Sequence, residues 1–288
     1  MNPATLRQML ERYTRPGGIP RLEAEVLLCH LLQRPRSYLY AWPERALDPA
    51  QQEQLEELVR RRQDGEPIAY ITGQREFWSL TLRVTADTLI PRPETEILVE
   101  QALHKLQALP EARVADLGTG SGAIAAAIAS ERPGDHIIAT DISTAALAVA
   151  RHNFVALGLN NIETRQGSWT EALPGELKFD LLLSNPPYVA DGDPHLARDG
   201  LPREPGTALT SGVDGLDDIR HLAATTREHL KPGGWLLLEH GMTQGHAVRE
   251  CLSTAGYREV YTAPDLEGRE RVSMGRTPLW QRLHRGNL

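Results

Sequence analysis

The sequence predicts an α/β protein: a mostly parallel, doubly wound sheet preceded by a small helical domain. Three observations carry that prediction. From Val114 onward, short apolar runs alternate with helical periodicities, as in repeated strand-helix units. One run, Phe179-Asp180-Leu181-Leu182-Leu183-Ser184, is leucine-rich, too short for an average helix and closed by Pro186-Pro187, which marks a buried central strand. Ahead of these units, residues 3–63 carry apolar side chains at helical spacing. The implied organisation is a helical domain over 1–66 that holds a partner, a hairpin linker over 67–92 and the main domain over 93–288.

Taken in order, Leu6, Met9 and Leu10 recur one turn apart, then Leu22, Val26, Leu27 and Leu31, then Leu55, Leu58 and Val59. Gly17-Gly18 and the surroundings of Pro35 and Pro43 break this stretch into short helices. Arg60-Arg61-Arg62 reads as a solvated helix end, where cations suit the dipole. Between Ile68 and Thr88 the pattern alternates, and Phe77-Trp78-Ser79-Leu80 with Leu82-Arg83-Val84 forms a short hairpin. Two prolines make Leu89–Glu96 an extended loop in which Arg92 could floor an active site. Glu94 and Glu96 then favour the start of a helix reaching about Gln107.

Val114–Leu117 is a strand that Gly118-Thr119-Gly120-Ser121-Gly122 turns into the helix Ala123–Ser130. Such a turn lets a ligand approach the backbone and offers it a helix amino terminus. Its third glycine comes one residue earlier than in a dinucleotide fingerprint, which weighs against NAD. The next strand, His136–Thr140, ends at Asp141, placed to accept hydrogen bonds from ribose hydroxyls. Asp116 either orients the turn or meets a cofactor amino group. A helix over Thr144–Leu157 and a strand over Ile162–Gln166 lead to Trp169, which either covers an adenine or fills the core. After the leucine strand, Val189–Gly215 is long, polar and rich in Pro, Gly and Asp, as a substrate-side lid with Arg203-Glu204-Pro205 as its anchor would be. A helix over Leu216–Leu230, a Lys231-Pro232-Gly233-Gly234 turn, a strand over Trp235–Glu239, a helix over Gln244–Ala255 and strands over Glu259–Thr262 and Arg271–Gly275 complete the order. His240, at a strand end, reads as structural rather than as a base. Asp265, Arg269 and Arg271 read as a loop ion-pair set.

Composition narrows the classes. The 288 residues are 41% hydrophobic and 24% charged, with a formal charge of −7. Residues 1–90 carry 12 basic and 12 acidic side chains, and residues 91–288 carry 19 and 26, so the later part lacks the basic face that grips phosphates. No secretory signal is visible, and the longest apolar run, Ala123–Ala129, is far short of the roughly 20 residues of a membrane span. A cytoplasmic protein without membrane or nucleic-acid contact is expected. Cys29 and Cys251 sit in apolar helical contexts as core residues, and no Cys/His cluster has metal-ligand spacing.

Asn185-Pro186-Pro187-Tyr188 closes the leucine strand with a stiff turn, because neither proline can donate a ladder hydrogen bond and both fix φ. The Asn185 side chain and the Pro186 carbonyl then face the crevice beyond the strand's carboxyl end, and Tyr188 can wall it. Two carbonyl acceptors holding a planar NH2 group reduce the delocalisation that makes such a nitrogen a poor nucleophile. This motif is that of methyltransferases acting on the exocyclic amine of adenine or on the side-chain amide of glutamine, and four residues alone leave both open.

With these residues in view, the chain resembles the release factor glutamine methyltransferases, the PrmC/HemK family. The likeness rests on Leu89-Ile90-Pro91-Arg92-Pro93-Glu94-Thr95, Asp116 through Gly122, Asp141, Asn185 through Tyr188, Asp193-Pro194-His195-Leu196, Glu204-Pro205, Leu238-Glu239-His240-Gly241 and Arg271. Residues 1–80 resemble the family only in being a short helical domain. The resemblance implies a Rossmann-like class I S-adenosylmethionine methyltransferase with a mostly parallel seven-stranded sheet. It implies methyl transfer from S-adenosyl-L-methionine, leaving S-adenosyl-L-homocysteine, to the glutamine of the Gly-Gly-Gln loop in class I peptide chain release factors. Family positions fall on Gly118, Thr119, Gly120, Ser121, Gly122, Asp141, Trp169 and Asn185 for the cofactor. On the substrate side they fall on Asn185, Pro186, Pro187 and Tyr188, with Asn185, Pro186 and Tyr188 doing the catalytic work, and Arg92 in its stiff loop is expected to join them in binding the substrate. A monomer without a metal is expected. A sister family acting on a ribosomal protein carries Arg-Ser-Pro where this chain has Arg92-Pro93-Glu94. The rival readings are an adenine-N6 methyltransferase gripping a flipped base and a non-catalytic scaffold that keeps the fold.

Overall fold

The computed structural model describes residues 4–197 and 200–279. They divide into two units: one runs to Gln74 and includes the short segment ending at Arg203, and the other holds the rest.

The first unit is built of α1 (Leu6–Tyr13), α2 (Arg21–Leu32), α3 (Arg36–Ala41), α4 (Pro49–Gln63) and α5 (Ile68–Thr72). Capping boxes start α1 and α4: Thr5 and Gln8 exchange side-chain and backbone hydrogen bonds, as do Asp48 and Gln51, with Pro49 in the first turn. Leu6, Met9, Leu27, Leu28, Leu47, Leu55 and Val59 interlock as the core. Glu25 is buried with them, and burial works to raise its pKa. Hydrogen bonds from Tyr40 (2.8 Å), Arg21 (3.0 Å) and Arg36 (2.5 Å) outweigh that and hold it below the ordinary glutamate value. The Arg60–Arg62 run is less solvated than expected. Arg61 pairs with Glu66 at 2.5 Å and Arg62 with Glu23 at 2.7 Å, both pairs half-buried. Within this unit Arg203 Nη2 donates to the Asp64 carbonyl at 3.1 Å.

Ile68–Thr72 is helical, where the alternating pattern suggested the start of the hairpin. Pro67 enters it with a helix-compatible φ and Gly73, at φ 72°, ends it. Five residues are too few to display a helical period. The hairpin proper is β1 (Gln74–Phe77) and β2 (Leu80–Arg83), joined by Trp78 and Ser79 at φ 52° and 58°. Both central residues with positive φ make this a turn matching the twist of the strands, a geometry that usually recruits glycine or asparagine. Two bonds hold Trp78 in it: its backbone N–H donates to Glu96 and its indole N–H to Glu131, each at 2.9 Å.

The second unit continues with α6 (Glu96–Leu106), β3 (Arg113–Leu117), α7 (Ala123–Glu131), β4 (His136–Asp141), α8 (Thr144–Ala156), β5 (Ile162–Gln166), β6 (Phe179–Ser184), α9 (Asp217–Thr225), β7 (Leu230–Glu239), α10 (Gly245–Thr254), β8 (Arg258–Pro264) and β9 (Glu270–Arg276). The seven strands from β3 onward form one sheet in the order β5-β4-β3-β6-β7-β9-β8. The first five strands in that order run parallel, and β9 pairs antiparallel with both β7 and β8. Helices α6, α7 and α8 cover one face through Leu98, Val99, Ala102, Ile124, Ile128 and Phe154, and α9 and α10 cover the other through Ile219, Leu222, Val248 and Leu252. Every residue from Ala123 to Ala129 is buried, and the alanines let α7 lie close against the sheet. The inner strands β3, β4 and β6 are therefore buried along most of their length, whereas the edge strand β5 is partly exposed.

The Lys231–Gly234 segment departs from expectation. It is a bulge inside β7 rather than a turn before it, because Leu230 pairs with Phe179 and Trp235 with Leu181, leaving four residues looped out with Gly233 at φ 77°. The helix expected over Leu216–Leu230 is shorter, ending at Thr225 before a 3-10 turn over Thr226–His229.

Ser79 is exposed and has a left-handed backbone with no side-chain partner among the described residues to reward it. Ser79→Gly is expected to raise stability by about 0.5–1 kcal/mol, read as a higher urea midpoint at unchanged slope.

Candidate functional site

Chain order decides where a ligand can bind. From β3 the chain moves outward to β4 and β5, then returns to place β6 on β3's other side. At that reversal the connections after β3 and β6 leave in opposite directions and open a crevice at the carboxyl ends of the two strands. The ends are tied together: Ser184 Oγ donates to the Leu117 carbonyl at 2.6 Å, fully buried. Gly118–Gly122 therefore leaves one strand beside Asn185–Tyr188 leaving the next. Both sequence-predicted motifs meet here.

The glycine-rich turn is firmly held. The Gly118 and Thr119 amides donate to the Thr140 carbonyl at 2.9 and 2.7 Å, and the Gly120 amide donates to Asp141 Oδ2 at 2.9 Å. Asp141 Oδ1 accepts from the Ser143 amide at 2.9 Å, so this carboxylate joins the turn after β3 to the start of α8. A Cβ at Gly120 would meet nothing within 4 Å, whereas one at Gly118 would come within 2.9 Å of the Trp169 ring. Trp169, half-buried, thus lies against the turn and also packs into the core, so its two sequence readings are compatible. Ser121 is anchored from α8, where buried Asn153 donates to its carbonyl at 2.8 Å.

Asp116 lies under this turn, fully buried. Its Oδ2 accepts from Thr119 Oγ1 at 2.6 Å and from the Ala125 amide at 3.2 Å, and its Oδ1 has no partner among the described residues. Burial pushes its pKa up to about 7 against those two bonds, and the Asp141 charge adds to the rise.

Across the crevice, Asn185 is half-buried and its Nδ2 donates to Thr95 Oγ1 at 3.2 Å. Pro186 is buried, and Tyr188 is pinned at both ends, its hydroxyl donating to Glu239 Oε1 at 3.4 Å and its carbonyl accepting from Gln244 Nε2 at 3.0 Å. Burial raises the tyrosine pKa, so it stays a neutral donor. Glu239 ends β7, is buried, and leaves Oε2 without a partner among the described residues. Burial pushes its carboxyl up to about 7, opposed by hydrogen bonding from Thr95, by Arg271 and by Tyr188.

Arg92 is engaged by a buried carboxylate: its Nη2 donates to Glu204 Oε1 at 2.5 Å, and Glu204 Oε2 accepts from the Ile90 amide at 3.1 Å. Glu204 is the effective anchor of the long loop, which also carries short 3-10 turns and a bridge between Val189 and Thr210. His240 is structural, hydrogen-bonded through Nε2 to Ser273 at 2.8 Å and through Nδ1 to the Gly241 carbonyl at 2.9 Å. Asp265 takes Arg269 at 2.9 Å and Arg271 at 3.2 Å, the expected ion-pair set. Sequence reasoning passed over Thr95 and Glu239, although both lie inside segments it singled out.

Comparison with known proteins agrees with this geometry. The family models described as "PrmC N-terminal domain" and "Methyltransferase small domain" match residues 5–73 and 93–200. A release factor glutamine methyltransferase of Xylella fastidiosa is 54% identical over 260 residues, covering 90% of this chain and 94% of that protein. One of Escherichia coli is 49% identical over 257 residues, covering 89% and 92%. Among solved structures, a methyltransferase from Pyrococcus furiosus superposes with a TM-score of 0.51 at 19% identity, over 76% of this chain and 98% of its own, a likeness of fold.

Two buried acids with raised pKa values set a sign for pH. Their ordinary values are 3.8 and 4.5, so between about pH 4 and 7 the folded chain holds protons that the unfolded chain has lost, and stability falls as pH rises through that window. The melting temperature is expected to fall between about pH 4 and 7 and to level off above that, and Asp116→Asn should flatten that slope. An equally steep slope in the variant would contradict the assignment.

Proposed function

The chain belongs to the release factor glutamine methyltransferase family, and we propose that it methylates the side-chain amide nitrogen of the glutamine in the Gly-Gly-Gln loop of class I peptide chain release factors. S-adenosyl-L-methionine is the donor, and the reaction supports translation termination in the cytoplasm. One observation carries the reading: the glycine-rich turn after β3 and the two-acceptor motif after β6 flank one crevice, with the strand ends joined by the Ser184–Leu117 bond.

The residues present fit the donor. The backbone from Gly118 to Gly122 opens onto free space at Gly120, Asp141 stands at the end of β4 where ribose hydroxyls would donate, Trp169 lies beside the turn, and buried Asp116 keeps one oxygen without a partner. Bound S-adenosylmethionine supplies a methyl group on a sulfonium centre, already activated for displacement. The protein's task is therefore alignment, which can contribute up to roughly 7–11 kcal/mol in ideal cases. Asn185 Oδ1 and the Pro186 carbonyl accept from the glutamine NH2. Their attraction grows as that nitrogen becomes positive and its protons more acidic, so it is stronger in the transition state than in the ground state. Tyr188 packs on the amide plane, Pro187 stiffens the turn, and Arg92 with Glu204 holds the loop bordering the substrate side. No strong base is required beforehand, since the nitrogen gives up its proton only after it has gained the methyl group.

Methyl transfer from labelled S-adenosylmethionine is expected on an intact bacterial release factor. It should be absent when the Gly-Gly-Gln glutamine is alanine and absent on duplex or single-stranded DNA; label on DNA would hand the chain to the adenine reading. Asn185→Ala is expected to lower kcat by about 10²–10³-fold while S-adenosylhomocysteine affinity changes less than about threefold. Comparable losses in both would refute this division of roles.

A further inference from the structure

Asn185 can serve only if its amide is turned the right way. Its Oδ1 must face the substrate NH2, because its own NH2 there would set donor against donor. Backbone geometry does not decide this, since an asparagine amide is close to symmetric in shape.

Neighbouring groups decide it here. Asn185 Nδ2 donates to Thr95 Oγ1 at 3.2 Å. Thr95 is buried at the end of the 3-10 turn Pro93–Thr95, which is itself closed by a hydrogen bond from the Thr95 amide to the Arg92 carbonyl. A hydroxyl has one proton to give and lone pairs to receive with. Glu239, buried at the end of β7, accepts from the Tyr188 hydroxyl at 3.4 Å. With its Nδ2 turned to Thr95 Oγ1, Asn185 leaves its carbonyl as the group for the crevice. Register places these residues together: Ser184 lies opposite Leu238 on the paired strands, so Asn185 and Glu239 follow side by side.

We infer that Thr95 is a positioning residue that holds the orientation of the Asn185 amide, while Glu239 positions Tyr188 beside it. The inference rests on the methyl-transfer reading for its consequence, while the orientation itself can be measured without turnover. The charged groups facing Glu239 are Arg271 on β9 and Glu94 beside Thr95, and neither offers Asn185 a competing hydrogen bond among the described residues.

The test compares Thr95→Val, which keeps the shape but removes the hydroxyl, with Thr95→Ser, which restores it. The first readout is the side-chain amide signal of Asn185 in 15N-labelled protein, assigned by its loss in Asn185→Ala. It is expected to be protected from hydrogen exchange in the wild type and Thr95→Ser, and shifted and unprotected in Thr95→Val. The second readout is turnover on a release factor. Losing an outer-shell partner of this kind should lower kcat about 10- to 100-fold with KM and S-adenosylhomocysteine affinity within about threefold, and Thr95→Ser should recover most of the loss. An unchanged amide signal and kcat in Thr95→Val, or a Thr95→Ser variant as impaired as Thr95→Val, would overturn the inference. A wild-type protein that transfers no methyl group would instead sink the functional reading, and the amide signal would still decide the orientation.

Discussion

The parallel pairing of β3 with β6 is the constraint on which the rest of the second unit depends. Val114, Ala115 and Asp116 lie opposite Leu181, Leu182 and Leu183, every one of them buried. A fully buried leucine contributes about 1.5–3 kcal/mol of transfer free energy, so this seam is both the centre of the core and the reason its two carboxyl ends cannot drift apart. The Ser184 hydroxyl closes the seam at its last residue. Shape at the crevice is thus inherited from packing beneath it, and the loops above need supply only chemistry.

Two carboxyl groups beneath the crevice, Asp116 and Glu239, are buried with one oxygen each left without a partner among the described residues. Stability alone would favour apolar side chains at such positions, because an unpaired buried polar atom carries a desolvation cost. Each nevertheless touches a motif residue: Asp116 holds Thr119 of the glycine-rich turn, and Glu239 holds Tyr188. Strongly shifted acids at a crevice are the signature of a site where stability has been given up for placement. The first unit shows the opposite arrangement. Among its described residues the one buried acid, Glu25, is surrounded by three donors and its pKa is lowered, as befits a structural network.

The parts of the fold legible in the sequence were those whose cause is local. Pro186-Pro187 ends a strand wherever it stands, Gly118 to Gly122 permit a turn that side chains would block, and the apolar spacing of Leu6, Met9 and Leu10 makes a helix face in any context. The misreadings share a different cause. Lys231-Pro232-Gly233-Gly234 looks like a turn, yet pairing of Leu230 with Phe179 pulls it into β7 as a bulge. Ile68–Thr72 falls in a stretch that alternates, and five residues could not reveal a period of 3.6. The Arg92–Glu204 ion pair, between residues far apart in the chain, left no spacing to read.

By itself the sequence determined the strand-helix order, the two motifs that bring a glycine-rich turn and a pair of carbonyl acceptors to strand ends, and through them the family. Tertiary structure alone decided that these motifs face one crevice, because which strand follows β3 in space depends on the chain's return to β6 and not on either motif. It alone decided, too, that Thr95 and Glu239 stand against Asn185 and Tyr188. A hydrogen bond between residues distant in sequence leaves no periodicity and no spacing to read. Its donors and acceptors are ordinary threonine and glutamate until the fold buries them side by side.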